Sequence, residues 1–189
     1  MPTTWLVSDT HFGHEKTCTT FKRDDGTPLR LFKSVEEMDE EMVKRWNERV
    51  RPKDKTYHLG DVVINRKFLT ILSRLNGDKV LIRGNHDIFK LEDYTKYFRD
   101  VRGYHVMNGM IFSHVPVHPD SLGRFGVNIH GHLHYQRVKN HNGDIDTRYH
   151  CVCVEHTDYA PITLEEVCKR VVSEGGVVGF RNGNGPVID

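Results

Sequence analysis

The chain lacks a long hydrophobic run, which excludes a membrane-spanning segment. No apolar stretch in its 189 residues approaches the roughly 20 residues that are needed to cross a bilayer. Its first residues show no basic segment followed by an apolar one, so no signal peptide is predicted and we expect a cytoplasmic protein. The length suits a single domain over residues 1–189. Its Gly-rich end, about residues 174–189, is predicted to be a loosely ordered tail.

An excess of charge of one sign is also missing, because 27 basic and 26 acidic residues leave a formal net charge of +1. Proteins that bind nucleic acid through its phosphates usually carry a basic excess. Nucleic acid is therefore not favoured as a partner, although a local basic patch stays open. No feature of the sequence specifies an oligomeric state.

Cysteine is scarce, and four residues of this type do not suit a disulfide-stapled secreted domain. Cys151 and Cys153 form a Cys-x-Cys pair that could help to bind zinc, but no second pair accompanies it. Small buried residues of a strand are the favoured interpretation. Histidine, in contrast, is abundant: there are 13, many beside Gly, Asp or Asn, and this pattern favours a metal site.

Helices in the first half of the sequence and hairpins in the second predict an α/β fold with two mixed β-sheets packed as a sandwich flanked by helices. Ser34 and Glu37 predict a capping box at the start of a helix. The Asn108-Gly109 pair is typical of a tight hairpin turn, and Asn142-Gly143 indicates a second turn. The predicted strands are 4–8, 104–107, 110–113 and 147–154, and the predicted helices are 35–50, 66–75, 88–98 and 161–172.

Five short apolar runs are each followed by a segment that contains Asp, His or Asn. The segments are Ser8–His11, Gly60-Asp61, Gly84–Asp87, Ser113-His114 and Gly131–His134. Short apolar runs bounded by Gly or Ser are typical of buried strands. Ligands of layered α/β folds bind at the carboxyl ends of strands. The sequence therefore predicts one polynuclear metal site assembled from the whole chain.

Spacing within two of these segments indicates that their side chains act together. Asp9 and His11 are two residues apart, so an extended backbone would present both on one side, and the same holds for His132 and His134. Considered alone, three of the five segments have a structural alternative, whereas Asn85-His86-Asp87 is harder to explain in that way. An Asp at a strand end can cap a turn, Gly-Asp is a common turn pair, and a lone His is usually a satisfied core residue. Their occurrence together and in this order is more specific.

In that order the motifs resemble the calcineurin-like metallophosphoesterase family. Its pattern is Asp-x-His, Gly-Asp, Gly-Asn-His-Asp/Glu, His and Gly-His-x-His, which the chain matches over residues 9–134. The segments Ser8–His14, Trp46-Asn47 and Tyr57–Asp61 are similar to a small bacterial and phage single-domain branch. The resemblance implies the four-layer α/β/β/α metallophosphoesterase fold.

The resemblance also implies seven ligands for two adjacent divalent metal ions. They are Asp9, His11 and His134 for the first ion, Asn85, His114 and His132 for the second, and Asp61 as a bridge. A bridging carboxylate offsets the repulsion between cations roughly 3.5–4 Å apart. Four imidazoles shift the preference from Ca²⁺ and Mg²⁺ towards Mn²⁺, Fe, Zn²⁺, Co²⁺ or Ni²⁺, and we expect Mn²⁺ to serve in vitro.

The implied reaction is hydrolysis of a phosphoric ester by a hydroxide that the two ions share. We expect His86 to be catalytic, as a general acid or a cationic donor to the phosphoryl group, with a purely structural contact as the alternative. Asp87 is expected to orient His86 and to favour its charged form. Other residues that could face the substrate stay open: His14, His118, His130, Arg23, Arg66 and Arg83.

Among the functions that fit these motifs, a metal-dependent phosphodiesterase acting on a small, nucleotide-like ester is favoured. Phosphomonoesterase activity uses the same metal pair and is the first alternative. A metal-dependent nuclease would need a basic groove or an aromatic platform. A non-catalytic scaffold is the least favoured, because scaffold relatives would be expected to lose ligands that this chain keeps.

Overall fold

A computed structural model of the protein describes residues 1–179. The end of the predicted tail, residues 180–189, lies outside the described residues, whereas Glu174 forms an ion pair with Arg137. Within residues 1–179, every helix is too short or too polar to pass through a bilayer.

Two mixed sheets form the centre of the molecule, which confirms the predicted α/β sandwich. The strands are β1 (Thr4–Val7), β2 (Lys55–His58), β3 (Asp78–Ile82), β4 (Asp100–Arg102), β5 (His105–Met107), β6 (Met110–Ser113), β7 (Asn128–His130), β8 (Tyr149–Cys151) and β9 (Ile162–Thr163). The first sheet has the order β4-β3-β2-β1-β9, in which only β9 is antiparallel to its neighbour. The second has the order β5-β6-β7-β8, in which β5 is antiparallel to β6.

The longest helix follows the apolar spacing of its sequence. The helices are α1 (Lys16–Thr19), α2 (Val35–Arg49), α3 (Leu91–Tyr94) and α4 (Leu164–Ser173). In α2, Met38, Met42 and Trp46 are buried four residues apart, which is one face of a helix. Ser34 caps its first turn as predicted, but the Glu37 carboxylate accepts from the backbone N–H of residue 33 rather than that of Ser34.

Two predicted helices take a different form. Residues Arg66–Arg74 form a 3₁₀ helix, which suits the three-residue spacing of Leu69, Leu72 and Leu75, because a 3₁₀ helix has three residues per turn. Over 88–98, the only helical segment is α3, four residues long. Ile88 is 72% exposed, so the predicted apolar face is not buried along its whole length.

Alternating side chains of the first sheet enter two separate cores. Leu6 packs between the two sheets, whereas Val7 faces the core beneath α2, as the two-residue period of a strand requires. The 3₁₀ segment Arg66–Arg74 covers the same core as α2, and α4 contributes Val167 and Val171 to the core between the sheets. Helical segments thus flank the sandwich.

The predicted turns are also present. Asn108 and Gly109 both have positive φ and join β5 to β6. The Asn142-Gly143 turn is closed by hydrogen bonds to the Asn140 side chain. The strand predicted over 147–154 is shorter in the structure, where only β8 (Tyr149–Cys151) is regular.

The carboxyl ends of the two sheets meet where β1 ends. The backbone N–H of Ser8 donates to the carbonyl of Val152, and the N–H of Val154 donates to the carbonyl of Ser8. The N–H of Asp9 donates to the carbonyl of Gly60, beyond β2. These bonds bring the segments that follow β1, β2 and β8 to one edge.

Candidate metal centre

Six of the seven predicted ligands form two groups at this edge. In each group one potential ligand atom per residue lies within 4.8 Å of the others. The first group is Asp9, His11 and His134, and the second is Asp61, His114 and His132. These residues are divided between the two groups in the way that the sequence resemblance implies for the two metal ions.

Asp61 lies between the two groups. Its Oδ2 atom is 3.3 Å from Nε2 of His114 and 3.7 Å from Nε2 of His11. Oδ1 of Asp61 accepts a hydrogen bond of 2.8 Å from the backbone N–H of His86. One carboxylate oxygen therefore faces a histidine of each group while the other is held by the loop that follows β3.

Asn85, the seventh predicted ligand, lies beside the second group. Its Oδ1 atom is 2.9 Å from Nε2 of His114, and Nδ1 of His114 is 2.7 Å from the carbonyl oxygen of Leu59. Burial opposes protonation of His114, but the hydrogen bond with Asp61 and the charge of Asp9 raise its pKa to about 9. Oδ1 of Asn85 and Oδ2 of Asp61 both lie close to Nε2 of His114, as ligands of one cation would.

The candidate ligands share an unusual backbone conformation. Positive φ values are found at Asp9, His11, Asp61, His132 and His134, between 47° and 70°. The extended backbone predicted for the pairs Asp9/His11 and His132/His134 is therefore wrong. The left-handed region is costly for residues other than Gly and is enriched at functional sites. It turns His132 towards His114 and His134 towards His11, with ring centroids 5.2 Å apart in both pairs.

The two oxygens of Asp9 have different surroundings. Oδ2 accepts hydrogen bonds from the hydroxyl of Ser8 at 2.6 Å, the thiol of Cys153 at 3.1 Å and the backbone N–H of His132 at 2.8 Å. Oδ1 is buried without a hydrogen-bond partner, as are both ring nitrogens of His11, and Oδ1 lies 3.5 Å from Nε2 of His11. Buried polar atoms normally have partners, so Oδ1 of Asp9 and Nε2 of His11, which lie side by side, suit the ligation of a cation.

The charge of the centre also suits a cation. Burial alone would raise the pKa of Asp9 and Asp61, but the neighbouring His11 and His114 outweigh it and lower both pKa values. Both carboxyls are therefore ionised in the interior. Buried charges need opposite charge nearby, and divalent ions would supply it.

Close backbone approach explains the glycine before His132. A Cβ atom at Gly131 would lie 2.0 Å from Oγ of Ser8 and 2.5 Å from Oδ2 of Asp9. Only Gly lets the segment after β7 approach the end of β1 this closely. The backbone of Gly131 thus forms one wall of the centre.

A buried ion pair supports His134. Its Nδ1 atom is 3.1 Å from Oε1 of Glu155, and the guanidinium of Arg30 donates to the same oxygen at 2.9 Å. The side chains of Arg30 and Glu155 are fully buried. Arg30 also donates to the backbone carbonyls of Asp9 and Thr10. A carboxylate on one ring nitrogen orients a metal-binding histidine so that the other nitrogen faces the ion.

Sequence reasoning did not find Arg30 or Glu155. Neither lies in a motif, and their separation of 125 residues gives no local signal. Cys153 was predicted only as a small buried residue. It is buried, as is Cys151, and its hydrogen bond to Asp9 is a contact that the strand pattern did not indicate.

His86 and Asp87 differ in exposure and in their contacts. The His86 side chain is exposed, with its ring centroid 5.8 Å from that of His11. Asp87 is buried, which raises its pKa. Its carboxylate accepts hydrogen bonds from the backbone N–H groups of residues 61, 62 and 84 rather than from His86. The structure therefore places Asp87 as a support for the Asp61 loop, not as the residue that orients His86.

Of the three other histidines that sequence reasoning left open, only His14 lies among the rings of the centre. Its ring centroid is 5.7 Å from that of His11, and burial, together with the charges of His11 and Arg30, lowers its pKa to about 4. His130 is buried in β7 and donates to the carbonyl of Gly131. The side chain of His118 is 74% exposed.

Comparisons with known proteins agree with the fold and the motifs. A family model of calcineurin-like phosphoesterases matches residues 2–166. An uncharacterized protein of Methanocaldococcus jannaschii is 35% identical over 184 residues, which cover 92% of this chain and 93% of that protein. A crystal structure of a protein of unknown function from Aquifex aeolicus has a TM-score of 0.68 and 27% sequence identity, covering 90% of this chain and 100% of that one. The chain therefore belongs to the calcineurin-like phosphoesterase family, whose members are metal-dependent phosphoester hydrolases.

Proposed function

We propose that the protein hydrolyses small phosphodiesters with two divalent metal ions, and that Mn²⁺ supports this activity in vitro. Asp9, His11 and His134 would hold one ion, and Asn85, His114 and His132 the other. The observation that carries the proposal is the position of Asp61, because its Oδ2 atom faces a histidine of each group. A shared carboxylate at this position suits a bridge between two cations.

Two bound ions would lower the pKa of a water molecule and neutralise charge on the phosphoryl oxygens. Hydrogen bonds within the chain hold the bridging carboxylate of Asp61 in position. The backbone N–H of His86 fixes Oδ1 of Asp61, and Asp87 in turn fixes the backbone N–H of Asp61. We expect the exposed ring of His86, whose centroid is 5.8 Å from that of His11, to give a proton to the oxygen of the departing alcohol.

The preference for a diester over a monoester rests on the contacts of three arginines that sequence reasoning left open as phosphate clamps. A phosphomonoester carries close to two negative charges at neutral pH, whereas a diester carries one. Arg66 pairs with Asp93, Arg83 donates to backbone carbonyls of residues 87 and 89, and Arg23 donates to the carbonyl of Leu29. These three candidate phosphate clamps are therefore engaged within the protein.

The charge of the chain gives no support to a nuclease. A formal net charge of +1 does not provide the basic excess that binds a phosphate backbone. Cleavage of polynucleotides is therefore an alternative outcome of the test rather than the expectation.

The test compares bis(p-nitrophenyl) phosphate with p-nitrophenyl phosphate after chelation and reloading with Mn²⁺. We expect Mn²⁺-dependent hydrolysis with a higher kcat/KM for the diester. Elemental analysis of the same samples establishes that metal is bound. Loaded protein that cleaves neither ester contradicts a hydrolase, and a preference for the monoester contradicts the diesterase. Faster cleavage of single- or double-stranded DNA or RNA would indicate the nuclease.

A further inference from the structure

A cleft of about 490 Å³ opens beside the candidate metal centre. One wall is formed by residues of the loop 20–29 and the other by residues 132–136. His132 and His134, which belong to the two ligand groups, are part of the second wall. The cleft therefore leads directly to the place where the phosphoryl group would bind.

Aromatic side chains stand on both walls. Phe21 is 43% exposed, and its ring centroid is 5.4 Å from that of His14. Tyr135 is half-buried on the opposite wall, next to Leu133. A single exposed ring is common on a protein surface and needs no explanation. Two rings in one cleft beside a metal centre, in contrast, form a surface on which a planar group can stack.

The two walls are fixed to each other. The hydroxyl of Tyr135 donates a hydrogen bond of 2.7 Å to Oδ1 of Asp24. The guanidinium of Arg23 lies over the Tyr135 ring, 5.9 Å from its centroid. The first wall is closed upon itself by a backbone hydrogen bond of 2.7 Å from Leu29 to Phe21. A cleft with such links is ordered before a ligand enters, which reduces the entropy cost of binding.

We propose that this cleft binds a planar aromatic part of the ester substrate, with Phe21 and Tyr135 as specificity-determining residues. The inference rests on the proposed function, since it places the phosphate of the same molecule at the metal centre. Stacking of a base or aryl ring on aromatic side chains contributes to affinity without requiring a particular base. The volume lies within the roughly 300–1,000 Å³ range of small-molecule sites.

The test measures binding to the Mn²⁺-loaded full chain by calorimetry. Adenosine 5′-monophosphate and ribose 5-phosphate carry the same phosphate and sugar, and differ in the base. We expect the nucleotide to bind about 10-fold more tightly, in keeping with one stacked base. Phenyl phosphate compared with methyl phosphate shows whether a simple aryl ring has the same advantage, which separates an aryl group from a nucleobase.

Variants then locate the effect. Phe21→Ala and Tyr135→Ala should bring the ratio of the two affinities close to one while the affinity for ribose 5-phosphate stays unchanged. Phe21→Trp keeps an aromatic ring and should keep the ratio. Tyr104→Ala is the matched control, because Tyr104 is 63% exposed and lies on neither wall of the cleft.

Equal affinity of the wild type for nucleotide and ribose phosphate, or no binding of either, overturns the proposal. Loss of both affinities together in Phe21→Ala would also overturn it, since the residue would then act on the metal centre. The ratio does not depend on turnover. A base-dependent ratio without hydrolysis of any ester would contradict the proposed function alone, and hydrolysis without such a ratio would contradict the cleft alone.

Discussion

Nδ1 of His134 lies 3.1 Å from Oε1 of Glu155, a carboxylate that is fully buried and ion-paired with Arg30. Burial opposes protonation of His134, but the hydrogen bond with Glu155 and the negative charges of Glu155 and Asp9 raise its pKa. With the proton on Nδ1 held by Glu155, Nε2 is the atom left for an ion. A residue outside every motif thus orients one that belongs to the motif.

Glu155→Gln should weaken metal binding at the first group. The amide keeps the shape of the side chain but loses the charge that orients His134, and such changes cost about 10–100-fold in metal affinity. It also leaves the Arg30 charge buried without its partner, which should reduce the free energy of unfolding by about 3–5 kcal/mol. Chelator competition and urea denaturation measure the two effects. Glu165→Gln is the control, because Glu165 is exposed in α4, and it should change neither metal affinity nor stability. Wild-type metal affinity in Glu155→Gln would show that the contact between Glu155 and His134 does not affect metal binding.

Asp61→Asn should reduce the content of both metal ions together. The substitution removes the charge of the carboxylate whose Oδ2 atom faces an imidazole nitrogen of each group. Elemental analysis against protein concentration gives the metal content, and circular dichroism verifies the fold. Asp120→Asn, whose side chain is 94% exposed, is the control. Retention of one tightly bound ion would argue against a bridge.

His86→Ala should leave the metal content unchanged while turnover falls by about 10²–10⁴-fold, the usual contribution of a general acid. The His86 side chain is exposed, and its link to the centre runs through its backbone N–H, which alanine retains. Steady-state kinetics and elemental analysis are measured on the same sample. His118→Ala, at an exposed histidine, is the control. Parallel loss of metal and activity would assign His86 a structural role instead.

Gly131→Ala should destabilise the protein and deplete its metal. The added Cβ would lie 2.0 Å from Oγ of Ser8 and 2.5 Å from Oδ2 of Asp9, so the ends of β1 and β7 must separate. Overpacking of this kind costs about 1–3 kcal/mol, measured by thermal denaturation with and without Mn²⁺. Gly103→Ala is the control, since nothing lies within 4 Å of the added atom. A Gly131→Ala protein as stable as the wild type would mean that the two segments separate at little cost.

The parts of the fold that the sequence predicts well are those with a local physical signal. Helix α2 begins after Ser34 and buries Met38 and Trp46 because capping and apolar spacing act within a few residues. The β5–β6 hairpin depends on the Asn108-Gly109 turn. The segment 88–98 has similar apolar spacing, but only α3 is helical, because burial of Tyr94 and Phe98 does not require a regular helix.

The sequence by itself determined the kinds of side chain available at the strand ends and their order, since Asp, His and Asn follow apolar strands wherever a motif occurs. Only the tertiary structure decided how these groups are divided and supported. Left-handed backbone turns His132 and His134 to different partners, Asp87 serves the backbone of Asp61, and Glu155 reaches His134. The physical reason is that side-chain direction at these positions depends on strained dihedral angles and on hydrogen bonds between distant segments, and neither leaves a signal in local spacing.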